Sequence, residues 1–494
     1  MSYIYRYEAM GIQKWILATD RLKEIKGASA IVEGLTGLLE KSLGAQGAGG
    51  ELIVGAAGGA TVRFPDEEAA VDFASIWPWL VQQQAPGLAV AQGWVPEEAG
   101  EGTFFDRLAA QLRSDRNRIM VDLPEAGPCI ARAPRSGLPS LPGEALRKGE
   151  SLEDPGTRAR REASSGEQES MLQRVWEVAG AGSPPKVPYS LDDLPRLAVL
   201  VADGNDLGLR IQSFSDSLSP DQFQEISHFI EKTTCQAIVH ATEEVFTDGD
   251  VLMRPVLVGG DDVSLLLPAD RGWEFARAYL NAFELASDVP DSPFGGKLTV
   301  SAGVAFVGGN HPFHLAFDLA QDLCKTAKKR VRAKDGGATP SGVLFHRVTT
   351  ALTGSYDQII DRELSLSAEG ADGSISFLSQ GPYLLHPSAD QPGIDALDQL
   401  LGALKKIPRG TLREAMEALF ISKGLSRNRI ERMQQTILEQ YEGKKIWDNW
   451  VSALAALGCS DQGWASNPEG DRTPLVDAQV LISENSMNRE VTPA

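Results

Sequence analysis

The stretch that most constrains this chain runs from Met253 to Leu267. It reads Met-Arg-Pro-Val-Leu-Val, then Gly259-Gly260-Asp261-Asp262, then Val-Ser-Leu-Leu-Leu. Two apolar runs separated by glycines predict a β-hairpin with a tight turn. Glycine admits positive φ, so the two acids fall where the chain reverses. Alone, this corner also fits a solvated hairpin tip. A second acidic site upstream weighs against that. Arg196 to Ala202 is a continuous apolar run of a length that suits a strand buried on both faces. It stops at Asp203-Gly204-Asn205-Asp206-Leu207-Gly208, a turn-rich segment whose carbonyls are free to point at a ligand.

A strand ending in Asp-Gly, then a helix, then a hairpin tipped by Asp-Asp is the order of elements in a polymerase or cyclase palm. In that arrangement the first strand lies beside the hairpin, and Asp203 converges with Asp261 and Asp262 at one end of the sheet. Three carboxylates in one small volume repel strongly unless a divalent cation neutralises them. Hard oxygen ligands of this kind suit Mg²⁺ or Mn²⁺ bound together with substrate phosphates. Further matching pieces are Leu298 to Phe306 (Leu-Thr-Val-Ser-Ala-Gly-Val-Ala-Phe) and Ala320 to Lys328 (Ala-Gln-Asp-Leu-Cys-Lys-Thr-Ala-Lys). With these four motifs in order, the segment from about Leu197 to Phe345 resembles the second palm of the large, polymerase-like subunit of type III CRISPR effector complexes. That family is related to the GGDEF-type and class III nucleotide cyclases.

The rest of the chain is read against that segment. Residues 3–9 alternate as a strand does, and Gly11-Ile12-Gln13-Lys14-Trp15-Ile16 opens a helix. Gly11-Ile12-Gln13 and Lys26-Gly27-Ala28-Ser29 resemble the start of the first palm of the same family. Glu51 to Phe64 is the corresponding hairpin, but its tip is Gly58-Gly59-Ala60-Thr61, so both acidic positions are vacant. This predicts an internal repeat whose first copy lost its metal ligands and serves to complete a composite nucleotide pocket. An unrelated α+β domain is the other reading. The expected fold is therefore α+β: two ferredoxin-like βαββαβ palms, the first degenerate, followed by a helical carboxy-terminal bundle.

The expected boundaries are 1–125 for the first palm, 126–192 for a linker or insertion, and 193–350 for the catalytic palm. A helical domain follows at 351–460 and a poorly ordered tail at 461–494. The 126–192 segment lacks the periodic apolar residues that offset ordering entropy, and Arg158, Arg160 and Arg161 read as a solvated face. Ser219-Pro220-Asp221 is a helix start, with a stripe from Phe223 to Val245 behind it. His228 and His240 lack metal-ligand spacing, and His311 and His314 flank the helix start, where they could touch a base or phosphate but read first as capping or turn residues. Lys297 to Val307 is the fourth strand, where Ser301 and Gly303 are small enough to let substrate or backbone come close. A helix from about Pro312 to Lys334 carries Lys325, Lys328, Lys329, Arg330, Arg332 and Lys334, mostly as solvated face. Helices are expected at 393–407, 409–423 and 426–457, with a polar loop region at 365–379.

Charge and cysteine content bound the partners. A net charge of −20 argues against strong autonomous binding to long DNA or RNA, which calls for a basic surface. Cys129, Cys235, Cys324 and Cys459 are scattered without a C-x-x-C pair, which fits a reducing cytoplasm and no zinc knuckle. No apolar run is long enough to span a bilayer, and the amino terminus lacks the order of a secretory signal. The resemblance implies a nucleotidyltransferase that makes cyclic oligonucleotide second messengers from ATP. It implies metal ligation by Asp203, the Gly204 backbone, Asp261 and Asp262. Nucleotide contacts are expected at Gly204, Gly259, Gly260, Ser301, Lys325 and Lys328, the lysine of Ala327-Lys328 reaching the triphosphate. It also implies other CRISPR effector subunits and guide RNA as partners. The absence of any His-Asp dipeptide departs from members that carry an HD nuclease. The rival reading is a non-catalytic scaffold whose palm holds nucleotide only to organise partner subunits.

Overall fold

The structure, a computed structural model, describes residues 1–19, 21–45, 49–56, 58–98, 103–118, 129–140, 152–164, 171–185, 194–213, 219–247, 252–332, 338–350, 354–366, 375–388 and 391–487. The chain opens with β1 (Tyr3–Met10), α1 (Ile12–Ile16), α2 (Leu22–Ala45), β2 (Glu51–Ala56), β3 (Gly59–Phe64), α3 (Glu67–Gln84) and β4 (Ala89–Pro96). These form a sheet of order β2-β3-β1-β4 with every neighbour antiparallel, which is the ferredoxin-like arrangement. Alternation along β1 sends Tyr5 and Tyr7 to one face, among Phe64, Phe73 and Trp77. Ile4 points to the other face and packs with Phe104, Leu108 and Leu112 of α4 (Phe104–Arg116), so helices cover both faces.

Two helices follow inside the segment expected to be a linker: α5 (Pro155–Ala163) and α6 (Met171–Ala179). Buried Asp154 caps α5 by accepting from Thr157 N at 2.9 Å. Gly27 lets the helices meet, since a Cβ there would lie 1.8 Å from the Arg160 carbonyl. Arg160 is buried, with its guanidinium 4.9 Å over the Trp15 ring, so it is not the solvated residue expected beside exposed Arg158 and Arg161. Met171, Leu172, Val175 and Trp176 are buried in the core, and α6 bridges the two palms through Arg174, which pairs with Glu33 and Glu231.

The second palm comprises β5 (Arg196–Gly204), α7 (Leu207–Ser213), α8 (Pro220–Val245), β6 (Arg254–Gly259), β7 (Asp262–Pro268), α9 (Ala269–Ser287) and β8 (Val300–Gly308). Ser219 and Gln222 form the capping box that starts α8. Helix α10 (Phe313–Val331) then leads to β9 (Gly342–Arg347), which pairs parallel to β8. After α11 (Tyr356–Glu363), β10 (Ser365–Leu366) and β11 (Ser376–Phe377), β12 (Tyr383–Leu384) completes a six-stranded sheet of order β12-β9-β8-β5-β7-β6. The four expected strands are thus extended by two.

Gly272 of α9 abuts Ala198, whereas Gly303, paired to Val201, abuts α10. Ala198 and Val201 have opposite parity along β5, so α10, which follows the βαββαβ unit, lies on the face of the sheet opposite α9. A Cβ on Gly303 would come within 2.1 Å of the Ala320 carbonyl, so the close approach expected there is that of helix backbone. At the far edge β6 is bulged at Val256, whose carbonyl accepts from Ser29 of α2 at 2.6 Å.

The remaining elements are α12 (Ile394–Leu404), α13 (Arg409–Leu419), α14 (Lys423–Leu438), α15 (Gly443–Ala456), β13 (Asp471–Arg472) and α16 (Leu475–Met487). The single helix expected over 426–457 is therefore two. The polar 365–379 region contributes β10 and β11, which pair with each other, and β11 also pairs with β13. The expected poorly ordered tail is corrected as far as residue 487. Leu475, Val476, Ala478 and Leu481 are buried in the core, and buried Asp477 accepts from Tyr383 Oη at 2.6 Å. Residues 488–494, Lys334 and parts of 126–192 lie outside the described residues. All four cysteines are free, and among the described residues no helix is long and apolar enough to cross a membrane.

Candidate active site

Sheet register brings the acidic residues together. Ala202 pairs with Val263 and Asp203 with Ser301, so β5 ends level with the β6–β7 turn. That turn is Gly260-Asp261, closed by the Gly259–Asp262 pair, and Gly260 has φ +61°. Gly204 makes room for Asp261, because a Cβ at 204 would stand 2.9 Å from Asp261 Oδ2 and 3.0 Å from its Cβ. Asp203, Gly204, Gly259, Gly260, Asp261 and Asp262 therefore share one corner of the sheet.

Crowding governs their protonation. Burial, then the charges of Asp262 and Asp203 and a hydrogen bond shared with Asp203, raise the Asp261 carboxyl to about 7. Surrounding protein and the Asp203 charge lift Asp262 to about 6 against the pull of Lys328. Its side chain is open to solvent, so water screens part of that push. The ammonium of Lys328, on α10, donates to Asp203 Oδ2 at 2.9 Å and to the Gly204 carbonyl at 2.6 Å. Among the described residues, no three His, Cys, Asp or Glu side chains are already set to hold a metal ion. The donor chemistry nevertheless fits one. Three carboxylates and a carbonyl are hard oxygens, and one ammonium leaves them short of positive charge.

The turn after β5 is anchored from below. Buried Asn205 donates from its backbone to Thr299 O at 2.8 Å and from Nδ2 to Pro340 O at 3.1 Å. Ser301 is fully buried and its hydroxyl donates to Asn205 Oδ1 at 2.8 Å, so it braces the turn and does not face a ligand as expected. Asp206 takes φ +56° and accepts from Thr339 N at 3.2 Å; burial opposes its ionisation, but the Thr339 hydrogen bonds outweigh it and hold its pKa low. Burial, then the Asp203 charge, push the Cys324 thiol up to about 12, which removes it as a nucleophile at neutral pH.

A cleft of about 980 Å³ opens beside Asp262, between the palms. Gln13 and Lys14 line it from the first palm, Arg135 from the insertion, and His314 and Gln321 from α10. Gln321 Nε2 donates to Gln13 Oε1 at 2.7 Å across the cleft. Arg135 is held by Glu24 (2.7 and 2.9 Å) and by Thr19 Oγ1 (2.7 Å). The volume is of the size that takes a nucleotide-like ligand. Sequence reasoning missed Lys14, Arg135 and Gln321, and put a capping or turn role for His314 ahead of contact with a base or phosphate. For Lys14, Gln321 and His314 the available signal was their position on segments already assigned to the first palm and to α10; Arg135, in the expected linker, had none. Lys325 is exposed on α10, at i+4 from Gln321 and i−3 from Lys328, hence on the same stripe.

A ferredoxin-like sheet that gathers three carboxylates at a strand end and hairpin turn, beside a cleft, defines a palm domain of the polymerase and cyclase type. Residues 196–338 match the family described as Cas10/Cmr2, second palm domain. The CRISPR system Cmr subunit Cmr2 of Pyrococcus furiosus is 28% identical over 176 residues, covering 31% of this chain and 18% of that protein. Among solved structures, a Csm1-Csm4 cassette in complex with cA4 matches at 19% identity and TM-score 0.48, over 70% of this chain and 54% of that one. A Csm1-Csm4 cassette in complex with pppApApA matches at 18% identity and TM-score 0.48, over 85% and 62%. Through its second palm the chain is a relative of the large, polymerase-like subunits of type III CRISPR effector complexes. It spans under a fifth of the length of Cmr2 and a little over half of the first of these solved chains.

Proposed function

We propose that this protein is a metal-dependent nucleotidyltransferase that joins ATP into cyclic oligonucleotide second messengers for CRISPR-type antiviral defence. The observation that carries it is the carboxylate cluster of Asp203, Asp261 and Asp262 beside the inter-palm cleft, with Asp261 and Asp262 resisting ionisation. Asp203, Asp261, Asp262 and the Gly204 carbonyl would hold Mg²⁺ or Mn²⁺, which when bound acidifies a ribose hydroxyl and neutralises the leaving pyrophosphate. Lys328 and Lys325 face the triphosphate charge from α10. Gln13, Lys14 and Gln321 bound the cleft and orient the nucleotides within it. The Gly259-Gly260 turn presents backbone without a side chain in the way. No nucleophilic side chain is required, since phosphoryl transfer between nucleotides rests on positioning and charge.

Other CRISPR effector subunits and a guide RNA are the partners this reading implies, in keeping with a relative that is itself a Cmr subunit. The test is incubation of the full chain with each NTP and Mg²⁺, with and without target RNA and partner subunits, and products resolved by mass spectrometry. Cyclic oligoadenylate and pyrophosphate, lost in Asp261→Ala/Asp262→Ala with the fold retained, are expected. Bound nucleotide without pyrophosphate release under any of these conditions would overturn the enzyme in favour of a scaffold.

A further inference from the structure

Lys328 stands where sequence reasoning did not put it. Its Nζ contacts Asp203 Oδ2 at 2.9 Å and the Gly204 carbonyl at 2.6 Å, two of the oxygens assigned above to a metal. An ammonium that bonds both atoms fills the volume between them, and a divalent cation cannot share it. The contact is open to water on both sides, with 31% of the Lys328 side chain and 38% of that of Asp203 exposed. Such a pair is weak enough to exchange. The root of the lysine is fixed, because neighbouring Cys324, Ala327 and Val331 are buried against the core while the long side chain is not. One helix, fixed at its root, thus carries a cation on a long, partly exposed side chain.

We propose that Lys328 is a resting-state occupant of the cation site, which divalent metal must displace before the site can work. The inference rests on the metal-dependent reading given above. With metal absent, the ammonium neutralises Asp203 and keeps the strand end and hairpin corner from springing apart. When a cation takes those oxygens, the ammonium is released on the stripe of α10 that also carries Lys325 and Gln321, of which Gln321 lines the cleft. The same side chain would then be unavailable to the metal site and available to a polyphosphate. Metal occupancy and phosphate contact by Lys328 are thereby linked, and free metal alone has to compete with a tethered charge.

Mn²⁺ alone, without nucleotide, tests this on the full chain by electron paramagnetic resonance of the free ion. Lys328→Met keeps an unbranched side chain one atom shorter and removes its charge, and should bind Mn²⁺ about tenfold more tightly than wild type, the equivalent of about 1.4 kcal/mol. Lys328→Arg should stay close to wild type, and Asp261→Asn/Asp262→Asn should abolish binding in either background. Equal affinities in wild type and Lys328→Met, both abolished by the double Asn change, would overturn the exchange while leaving the metal site standing. Absence of Mn²⁺ binding in every protein would overturn the exchange and the metal reading together. A second measurement needs no variant: acetylation of Lys328 in wild type, followed by peptide mass, should rise as Mn²⁺ is added. An unchanged rate at saturating Mn²⁺ would also overturn the proposal.

Discussion

Asp261→Asn should make the metal-free protein more stable, although it removes a group assigned to the active site. The carboxyl is raised from 3.8 to about 7 by burial and by Asp262 and Asp203. At about 1.4 kcal/mol per tenfold change in proton affinity, full ionisation costs the fold about 4 kcal/mol as a ceiling. Asn keeps the shape without the charge. Water in the adjoining cleft and the hydrogen bond with Asp203 reduce the gain, and we expect about 2 kcal/mol at about pH 8.5. The sign follows from proton binding. Below the unfolded value of 3.8 both states are protonated and the penalty is absent. From 3.8 up to about 7 the unfolded state has given up a proton that the folded state still holds, so wild type loses stability until its folded state also ionises, while the variant does not. Urea unfolding followed by circular dichroism in EDTA, from about pH 5 to about pH 8.5, reads this directly. The gap should shrink to under half by about pH 5, and Mg²⁺ should narrow it at high pH by stabilising wild type alone. A variant no more stable than wild type at high pH, or a gap independent of pH, refutes the electrostatic account of the site.

Gly204→Ala would push a methyl into Leu207 and Asp261, and product formation should drop about a hundredfold, read as pyrophosphate release. Unchanged turnover would mean that Asp261 does not need its present place. Gly303→Ala sets a Cβ 2.1 Å from the Ala320 carbonyl and 2.4 Å from Cys324 N, and should cost about 3 kcal/mol in urea unfolding as α10 lifts from β8. Leu481→Ala, in a helix where sequence reasoning expected a tail, should cost about 3 kcal/mol because that side chain is 1% exposed. A loss under about 0.5 kcal/mol would restore the tail.

The acidic corner was legible because its signals are local. The apolar run ending at Asp203, the glycines at 259 and 260, and the Ser219-Pro220 start of α8 each act within a few residues. The first palm was legible as a second instance of the same order, even with its acids gone. Less visible were the features that depend on distant partners. β9 joins the sheet through a parallel crossover, and nothing in Gly342-Val343-Leu344-Phe345 says which strand it will meet. Met171, Leu172, Val175 and Trp176 do show helical spacing, but the charged residues around them dominated the composition of 126–192. Pro, Ser and Asn at 461–474 hid α16 in the same way. Ser301 looked like a ligand contact because a small polar residue opposite Asp203 suits one; only the register and Asn205 reveal that its hydroxyl is spent. The partner of Lys328 depends on how α10 crosses the sheet, and no motif encodes that.

The Ser29 hydroxyl on the Val256 carbonyl has a bearing on what the first palm does for the second. β6 borders the sheet, and a border strand offers unpaired peptide groups to any other chain that comes near. Here Pro255 withholds one donor, the bulge bends the strand, and α2 of the first palm spends a side chain on the carbonyl that the bulge leaves over. The first palm therefore covers part of the second palm's open border, and a second palm cut free of it would carry that edge uncovered.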